Sequence, residues 1–219
     1  NLEFIENFEN SINQINPNDP IIIKGNDNFF CSGLDLNFSH TLNPNELTDL
    51  IDKFEALLCK ILRLDTITCA LIKGHCIGGG LIIALACDKI CLYPSNKKIG
   101  LNKKYLNIDL PPLPDSIIKN KLSLKNINQI SSINVSTLEE FELDHKLHDY
   151  YLDRKNIDTE LITTNNHFNF LDTKKQKFEF IYNQYLKTKN QKFNQFLKSW
   201  FNKDAVLKRE SLIKKFNKN

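Results

Sequence analysis

The 219-residue sequence contains no methionine, and its first residue is Asn1. We therefore expect a processed or trimmed piece, or a sequence from which methionines are missing, rather than a complete reading frame. Long apolar runs are also lacking, because none approaches the roughly 20 residues of a membrane-spanning helix. Neither a secretory signal nor a C-terminal S-K-L peroxisomal address is recognisable. The expectation is an intracellular protein with no membrane span, in the peroxisome, the mitochondrion or the cytosol.

An excess of charge of either sign is lacking as well. The chain has 29 Lys and Arg residues against 26 Asp and Glu residues, which gives a net charge of +3. Mixed charges of this kind do not predict binding to nucleic acid. The hydrophobic fraction of 41% supports a sizeable core. At this length the chain is expected to form one domain with, at most, a helical appendage.

The six cysteines form no C-x-x-C pair, which argues against both a zinc site and a disulfide framework. We expect free thiols in a reducing compartment. Cys31 is a candidate nucleophile, but the sequence provides no histidine beside it to activate the thiol. His145 and His148 are three residues apart in a polar stretch, and without further ligands they do not predict a metal site.

The most informative stretch covers residues 68–88, TCALIKGHCIGGGLIIALACD. Its apolar run at 67–72 predicts a buried strand, residues 73–75 a turn, and the uniformly apolar run at 81–87 a buried helix. The glycines at 78–80 stand at the strand-to-helix junction. Glycine leaves backbone N–H groups unshielded, and the helix dipole adds positive potential there. The pattern predicts a site for a negatively charged or polarised oxygen; the alternative is a tight turn that needs glycine only for packing.

A second stretch, residues 21–37, reads IIIKGNDNFFCSGLDLN and predicts a strand followed by an elbow. Together the two stretches resemble the crotonase superfamily, the enoyl-CoA hydratases and isomerases. Members carry G-x-x-x-x-F-C/S-x-G-x-D-L and, further along, N-G-x-x-x-G-G-G with an apolar helix that ends in C-D. The matching residues here are Gly25, Phe30, Cys31, Gly33, Asp35, Leu36, Gly74, Gly78, Gly79, Gly80, Cys87 and Asp88.

Apolar periodicity predicts further helices. One begins at Asn43-Pro44, a cap followed by proline in the first turn, and runs to about residue 65. Residues 138–147 and 174–201 also carry helical patterns, and Asn202 is expected to cap a last helix. The first helix is predicted over residues 1–15, with an apolar face of Phe4, Phe8, Ile12 and Ile15.

Residues 99–114, IGLNKKYLNIDLPPLP, resemble the superfamily segment G-x-x-E-V-x-I/L-G-x-x-L-P. Its Leu-Pro pairing, and a likeness of residues 196–205 to a W-F-S-x-E-A pattern, favour the Δ3,Δ2-enoyl-CoA isomerase branch. The resemblance implies an α/β fold, the crotonase-type ββα spiral, with its core in residues 1–122. The strand hairpin that opens this core in the family is absent from the sequence. The resemblance also implies a C-terminal helical region, residues 123–219, through which such chains form homotrimers.

The resemblance further implies the site. The backbone N–H groups of Leu34 and Gly79 would form an oxyanion hole that stabilises a thioester enolate, and a fatty acyl-CoA thioester would be the ligand. Coenzyme A is then part of the substrate, and no separate cofactor is expected. Coenzyme A contacts are implied at Ser32, Gly33 and Leu34. Basic candidates for the same role are Lys24, Lys208, Arg209, Lys214 and Lys215, although a lysine-rich last helix is more often a solvated face.

Both glutamate positions of the superfamily lack a carboxylate here: one is occupied by Ile82 and the other by Lys103. Lys103 is open to three interpretations: a neutral base with a lowered pKa, a contact for an anionic substrate group, or a residue of an inactive site. In the extended segment expected here, Lys104 would face away from it. Asp109 and Asp115 are candidates for a relocated base, the alternatives being a loop aspartate or a helix cap.

The predicted function is therefore acyl-CoA binding, with double-bond migration of the Δ3,Δ2-enoyl-CoA isomerase type if the protein is active. The alternative is a catalytically inactive scaffold or acyl-CoA-binding protein. Asp35 is expected to cap a helix, Asp88 and His75 to make structural hydrogen bonds, and Tyr105 to pack in the core.

Overall fold

The computed structural model describes residues 1–16, 19–93, 95–121, 136–137 and 167–217. The strands of this part of the chain are β1 (Ile21–Lys24), β2 (Phe29–Cys31), β3 (Thr68–Ile72), β4 (His75–Ile77), β5 (Lys89–Leu92), β6 (Lys98–Gly100) and β7 (Ser136–Thr137). The helices are α1 (Leu2–Asn13), α2 (Leu36–His40), α3 (Pro44–Arg63), α4 (Gly79–Ala86), α5 (Lys103–Leu106), α6 (Pro112–Lys121), α7 (His167–Trp200) and α8 (Lys203–Phe216).

Successive strands along the chain alternate between two sheets. One sheet has the order β1-β3-β5 and is parallel throughout; the other has the order β2-β4-β6-β7, with only β7 antiparallel to its neighbour. Each pass along the chain adds one strand to each sheet and then a helix. This repeated ββα unit confirms the predicted α/β spiral. Strand β3 is buried along most of its length, as expected for a central parallel strand.

The predicted boundaries around the glycine run need two corrections. His75 was expected in a turn but begins β4, because its N–H donates to the Asn28 carbonyl at 2.8 Å and the strand pairs with β2. Helix α4 begins at Gly79 rather than at residue 81. The strand predicted over 67–72 is confirmed as β3. The glycines therefore belong to the first turn of the helix, not to a separate loop.

Helix α1 presents a different face from the one predicted. Ile5 and Ile12 are buried, whereas Phe4 is 45% exposed and Ile15 is 37% exposed. The helix ends at Asn13, so Ile15 lies outside it, and the buried stripe runs from Ile5 to Ile12 against α3. Ile12 belongs to both the predicted and the observed face, so the difference is that Ile5 is buried in place of Phe4 and that Ile15 lies outside the helix.

Helix α3 begins as the sequence predicts. The Asn43 side chain accepts hydrogen bonds from the N–H groups of Asn45 and Glu46, and the Glu46 carboxylate accepts from the Asn43 N–H in return. This capping box, with Pro44 in the first turn, fixes the helix start. Its predicted apolar stripe is buried except for Phe54, which is partly buried.

The predicted helical C-terminal region is present. The two apolar faces expected over residues 174–201 lie on one long helix, α7, which packs against α3 and α6. Asn202 caps α8 as predicted, because its side chain accepts from the Asp204 N–H at 3.0 Å. The pattern at 138–147 and the pair His145 and His148 lie outside the described residues.

Asp88 has the structural role that the sequence predicts. Its Oδ2 accepts from the N–H and the hydroxyl of Thr68, at 2.9 and 2.8 Å, and from the Lys174 ammonium at 2.7 Å. Lys174 also donates to the Thr66 carbonyl at 2.7 Å. Because Lys174 belongs to α7, this buried group of contacts ties the C-terminal region to the sheet.

Candidate functional site

The two glycine segments meet at one point. Gly33 has φ +85°, and a Cβ on it would lie 2.8 Å from the Gly79 nitrogen and 2.7 Å from the Ile77 carbonyl oxygen. Only glycine allows so close an approach of the two backbones. We call this contact the glycine junction; it comprises Gly33, Leu34, Gly78 and Gly79. It brings the elbow after β2 onto the first turn of α4.

Two backbone N–H groups at the glycine junction remain available to a ligand. Within the described residues, the Leu34 N–H donates no hydrogen bond. Gly79 opens α4, where the first amides have no carbonyl one turn earlier to bond. The Gly78 N–H, in contrast, donates to the Gly100 carbonyl at 2.9 Å. The positive end of the α4 dipole adds to the attraction for an oxygen at this point.

The fold requires glycine at position 80 but not at position 79. A Cβ on Gly80 would lie 2.2 Å from the Cys31 carbonyl oxygen, so the fold itself requires glycine there. A Cβ on Gly79 would meet only the Gly33 Cα and the Phe54 ring, both at 3.5 Å, which is ordinary contact. The packing of the protein does not account for glycine at 79.

The structure also contains a polar cavity of about 310 Å³. The cavity lies between α5 and the connection from α7 to α8. It is lined by Lys103, Lys104, Asn107, Ile108, Asp109, Ser199 and Asn202.

The family model described as Enoyl-CoA hydratase/isomerase matches residues 1–112, half of the chain, including the whole glycine junction. The chain belongs to the enoyl-CoA hydratase/isomerase family. The fatty acid oxidation complex subunit alpha of Aliivibrio fischeri is 36% identical over 90 residues, which are 40% of this chain and 13% of that protein. The methylglutaconyl-CoA hydratase of Rattus norvegicus is 38% identical over 79 residues, which are 36% of this chain and 25% of that enzyme. The chain thus matches a quarter or less of the length of these relatives.

Solved structures confirm the crotonase fold over almost the entire chain. Human mitochondrial delta3-delta2-enoyl-CoA isomerase superposes with a TM-score of 0.80 at 15% identity, covering 99% of this chain and 87% of that chain. HypX from Aquifex aeolicus superposes with a TM-score of 0.77 at 15% identity, covering 97% of this chain and 40% of that chain. At such identities the likeness concerns the fold.

The two positions at which the family carries glutamate, occupied here by Ile82 and Lys103, differ in their burial and polarity. Ile82 is 2% exposed in α4 and belongs to the hydrophobic core. Lys103 lines the polar cavity together with Lys104, which was expected to face the other way. That expectation was wrong because the segment forms the short helix α5, in which adjacent side chains are about 100° apart rather than 180°.

The two aspartates considered as relocated bases also differ. Asp109 is exposed in the polar cavity, and its N–H donates to the Ser199 hydroxyl at 2.8 Å. Asp115 is 8% exposed in α6, and its carboxylate pairs with Lys119 at 2.6 Å and Lys192 at 3.5 Å. Asp115 thus joins α6 to α7, whereas Asp109 shares the cavity with Lys103.

The remaining candidates around the first elbow have the following surroundings. Lys24 ends β1 with an exposed side chain, and Ser32 is exposed directly before Gly33. Asp35 caps α2 as predicted, because its Oδ1 accepts from the Phe38 N–H at 3.1 Å. The Cys31 sulfur accepts from the Gly33 N–H at 3.4 Å, and burial raises the pKa of this thiol. A raised pKa disfavours the thiolate that a nucleophilic role would need.

Two further predictions concern aromatic rings near the site. His75 makes the expected structural hydrogen bond, since its Nδ1 accepts from the Lys98 N–H at 2.9 Å. Its pKa is lowered by burial and by the neighbouring Lys97 and Lys98. Tyr105, expected in the core, is 50% exposed, because the α5 helix turns its side chain outward.

Among the described residues, sequence reasoning missed three buried charged side chains: Lys174, described above, Glu55 and Arg209. Glu55 is 3% exposed in α3, and its Oε1 accepts from the Leu113 N–H at 2.8 Å. Arg209 was grouped with solvated lysines but is 1% exposed in α8, with its guanidinium 4.0 Å above the centre of the Trp200 ring. The spacing of Arg209 four residues after the buried Ala205 is the sequence signal that marks its inward face.

Within the described ranges, no helix combines the length and the apolar character that a membrane crossing requires. All six cysteines are free thiols, as expected.

Proposed function

We propose that the chain binds an acyl-CoA thioester with its carbonyl oxygen between the N–H groups of Leu34 and Gly79. The observation that supports this proposal is the close approach of Gly33 to Gly79, which brings together the two segments that carry these donors. A preorganised pair of donors stabilises the negative charge that develops on this oxygen when the thioester enolises. Removing one such donor typically slows a reaction by about a hundredfold or more.

The proposed ligand is a fatty acyl-CoA, with coenzyme A as part of the substrate and no separate cofactor. The exposed residues Lys24 and Ser32, together with Gly33, are the proposed contacts of the coenzyme A portion, since they lie on the chain just before Leu34. Relatives such as the methylglutaconyl-CoA hydratases and an ethylmalonyl-CoA decarboxylase carry coenzyme A thioesters in their names.

The proposed reaction is double-bond migration of the Δ3,Δ2-enoyl-CoA isomerase type. A base takes a proton from C2 of a 3-enoyl thioester, the electron pair moves into the enolate, and the same proton returns at C4. Asp109 is the proposed base, because it is the one carboxylate among the described residues that line the polar cavity.

Binding is tested by calorimetric titration with a long-chain acyl-CoA and, separately, with free coenzyme A. We expect the Gly79→Ala variant to fold normally and to bind the thioester at least tenfold more weakly, because the added methyl group narrows the space beside the N–H. Leu34→Ala is the matched control, since it leaves the backbone donor in place. Equal binding by Gly79→Ala and the wild type would contradict the proposed oxygen site.

Catalysis is tested separately by following conversion of a 3-enoyl-CoA to the conjugated 2-enoyl-CoA by ultraviolet absorbance. We expect turnover by the wild type and its loss in Asp109→Asn, with thioester binding retained. Binding without turnover by the wild type would instead identify a catalytically silent acyl-CoA-binding protein. Absence of binding would leave the fold as a scaffold.

We further propose that the chain forms a homotrimer through its last helices. Five large apolar side chains on or beside α7 and α8 are exposed, and neighbouring chains of a trimer would cover such side chains. Light scattering is expected to give the mass of three chains. The apolar residues are Phe180, Leu186, Phe201, Leu207 and Phe216.

A further inference from the structure

Phe54 has the side chain nearest to the Cβ position of Gly79 at the glycine junction. Among the described residues, the atoms closest to that position belong to the Gly33 backbone and to the Phe54 ring, whose Cζ is 3.5 Å away. A Cβ lies about 2.5 Å from the nitrogen of its own residue, so the ring edge is within roughly 6 Å of the Gly79 nitrogen. The ring therefore lies beside the proposed oxygen site.

Helix α3 holds this ring in place. Leu50 and Leu58, about one turn before and one turn after Phe54 on the same face, are 1% and 0% exposed. The next residue, Glu55, is fixed by the hydrogen bond that it accepts from the Leu113 N–H. Phe54 itself is the only residue of the predicted apolar stripe of α3 that is not fully buried. Part of its ring is therefore available for contact with a ligand.

The distance of the ring from the Gly79 nitrogen matches that expected for the first carbons of a bound acyl chain. An oxygen that accepts from the Gly79 N–H lies about 2.9 Å from the nitrogen. C2 of the acyl chain is two bonds from that oxygen and so lies within roughly 5.5 Å of the nitrogen. A methyl branch at C2 needs additional volume there, and a ring held by a closely packed helix moves little to make room for it.

We infer that Phe54 is a specificity-determining residue that selects acyl-CoA thioesters without a branch at C2. The selection acts at the carbon from which the proposed reaction takes its proton. In an apolar site, one additional methyl group typically changes the discrimination between two substrates by about tenfold or more. This inference rests on the proposed binding of the thioester at the glycine junction.

The test compares propanoyl-CoA with 2-methylpropanoyl-CoA, which differ only in the methyl branch at C2, by calorimetric titration. We expect the wild type to bind propanoyl-CoA about tenfold more tightly or better. In Phe54→Ala, which removes the ring, we expect this ratio to fall to about one. Phe193→Ala, which removes another partly buried ring, on α7, is the matched control and should retain the ratio.

A second variant keeps the test valid if Phe54→Ala does not fold, as judged by its thermal unfolding. Phe54→Leu keeps much of the apolar volume but not the ring, and we expect it to lower the ratio by severalfold. Equal affinities of the wild type for both thioesters would overturn the inference but leave the proposed function intact. A folded Phe54 variant that retains the wild-type ratio would assign the ring to packing alone and would also overturn it. Failure of both thioesters to bind would overturn the proposed function, and this inference with it.

Discussion

At position 80, the absence of a Cβ allows the backbone of Cys31 to pack closely against α4. We expect Gly80→Ala to lower the free energy of unfolding by about 1–3 kcal/mol, because its Cβ would lie 2.2 Å from the Cys31 carbonyl oxygen. Chemical denaturation measures this loss. Gly79→Ala is the matched control, since its contacts at 3.5 Å are ordinary and its change in stability should stay within about 0.5 kcal/mol. Equal losses in both variants would contradict the described approach of the two backbones.

Glu55 makes the stability of the protein depend on pH. Burial raises its pKa from 4.5 to about 7, although the Leu113 N–H, Tyr185 and Lys189 oppose the shift and Asp52 adds to it. The folded state therefore holds a proton that the unfolded state has released. The corresponding stabilisation is complete below pH 4.5 and is lost as the pH rises to about 7.

We expect Glu55→Gln to gain stability relative to the wild type as the pH rises from 5 to 8, by at most about 3 kcal/mol. The measurement is urea denaturation of both proteins at the two pH values. Glu3→Gln, at an exposed position, is the control. A difference between Glu55→Gln and the wild type that is independent of pH would contradict the assigned shift.

Single residues were predicted well where the backbone dictates the residue type, and poorly where side chains from distant segments meet. Gly33 and Gly80 were recognisable because close contacts permit only glycine there. Arg209 was not recognised as buried, since its burial depends on contacts with Trp200 and α2. The charged residues next to it in the sequence do not indicate these contacts.

At the scale of elements, α7 is attached to the sheet through one buried ion pair. Lys174→Met would leave the Asp88 carboxylate without its cation, and we expect a loss of about 3 kcal/mol in the free energy of unfolding. Lys53→Met is the matched control, because the pair of Lys53 with Glu6 is about half exposed and should contribute less than about 1 kcal/mol. Similar losses in the two variants would show that Lys174 does not attach α7.

Elements with local signals were predicted with good boundaries. The start of α3 is specified by Asn43, Pro44 and Glu46 within four residues. Strand β4 was missed because it has three residues and is defined by pairing with β2 and β6 rather than by its own pattern. Helix α5 was taken as extended for the same reason, being one turn long.

At the scale of the whole molecule, family resemblance supplied the ββα spiral that periodicity alone does not specify. The alternation of strands between two sheets depends on contacts between segments far apart in sequence. The glycine junction joins positions 33 and 79 across this distance. The residues at the junction could therefore be named from the sequence, but their mutual distance required the structure.

The most direct test of the account is the infrared stretch of a ¹³C-labelled thioester carbonyl, measured for a bound acyl-CoA against the free molecule. In the proposed complex, hydrogen bonds from the Leu34 and Gly79 N–H groups would weaken the carbonyl bond. The account therefore predicts a shift to lower frequency on binding and a smaller shift in Gly79→Ala. A bound thioester whose carbonyl stretch equals that of the free molecule would contradict it.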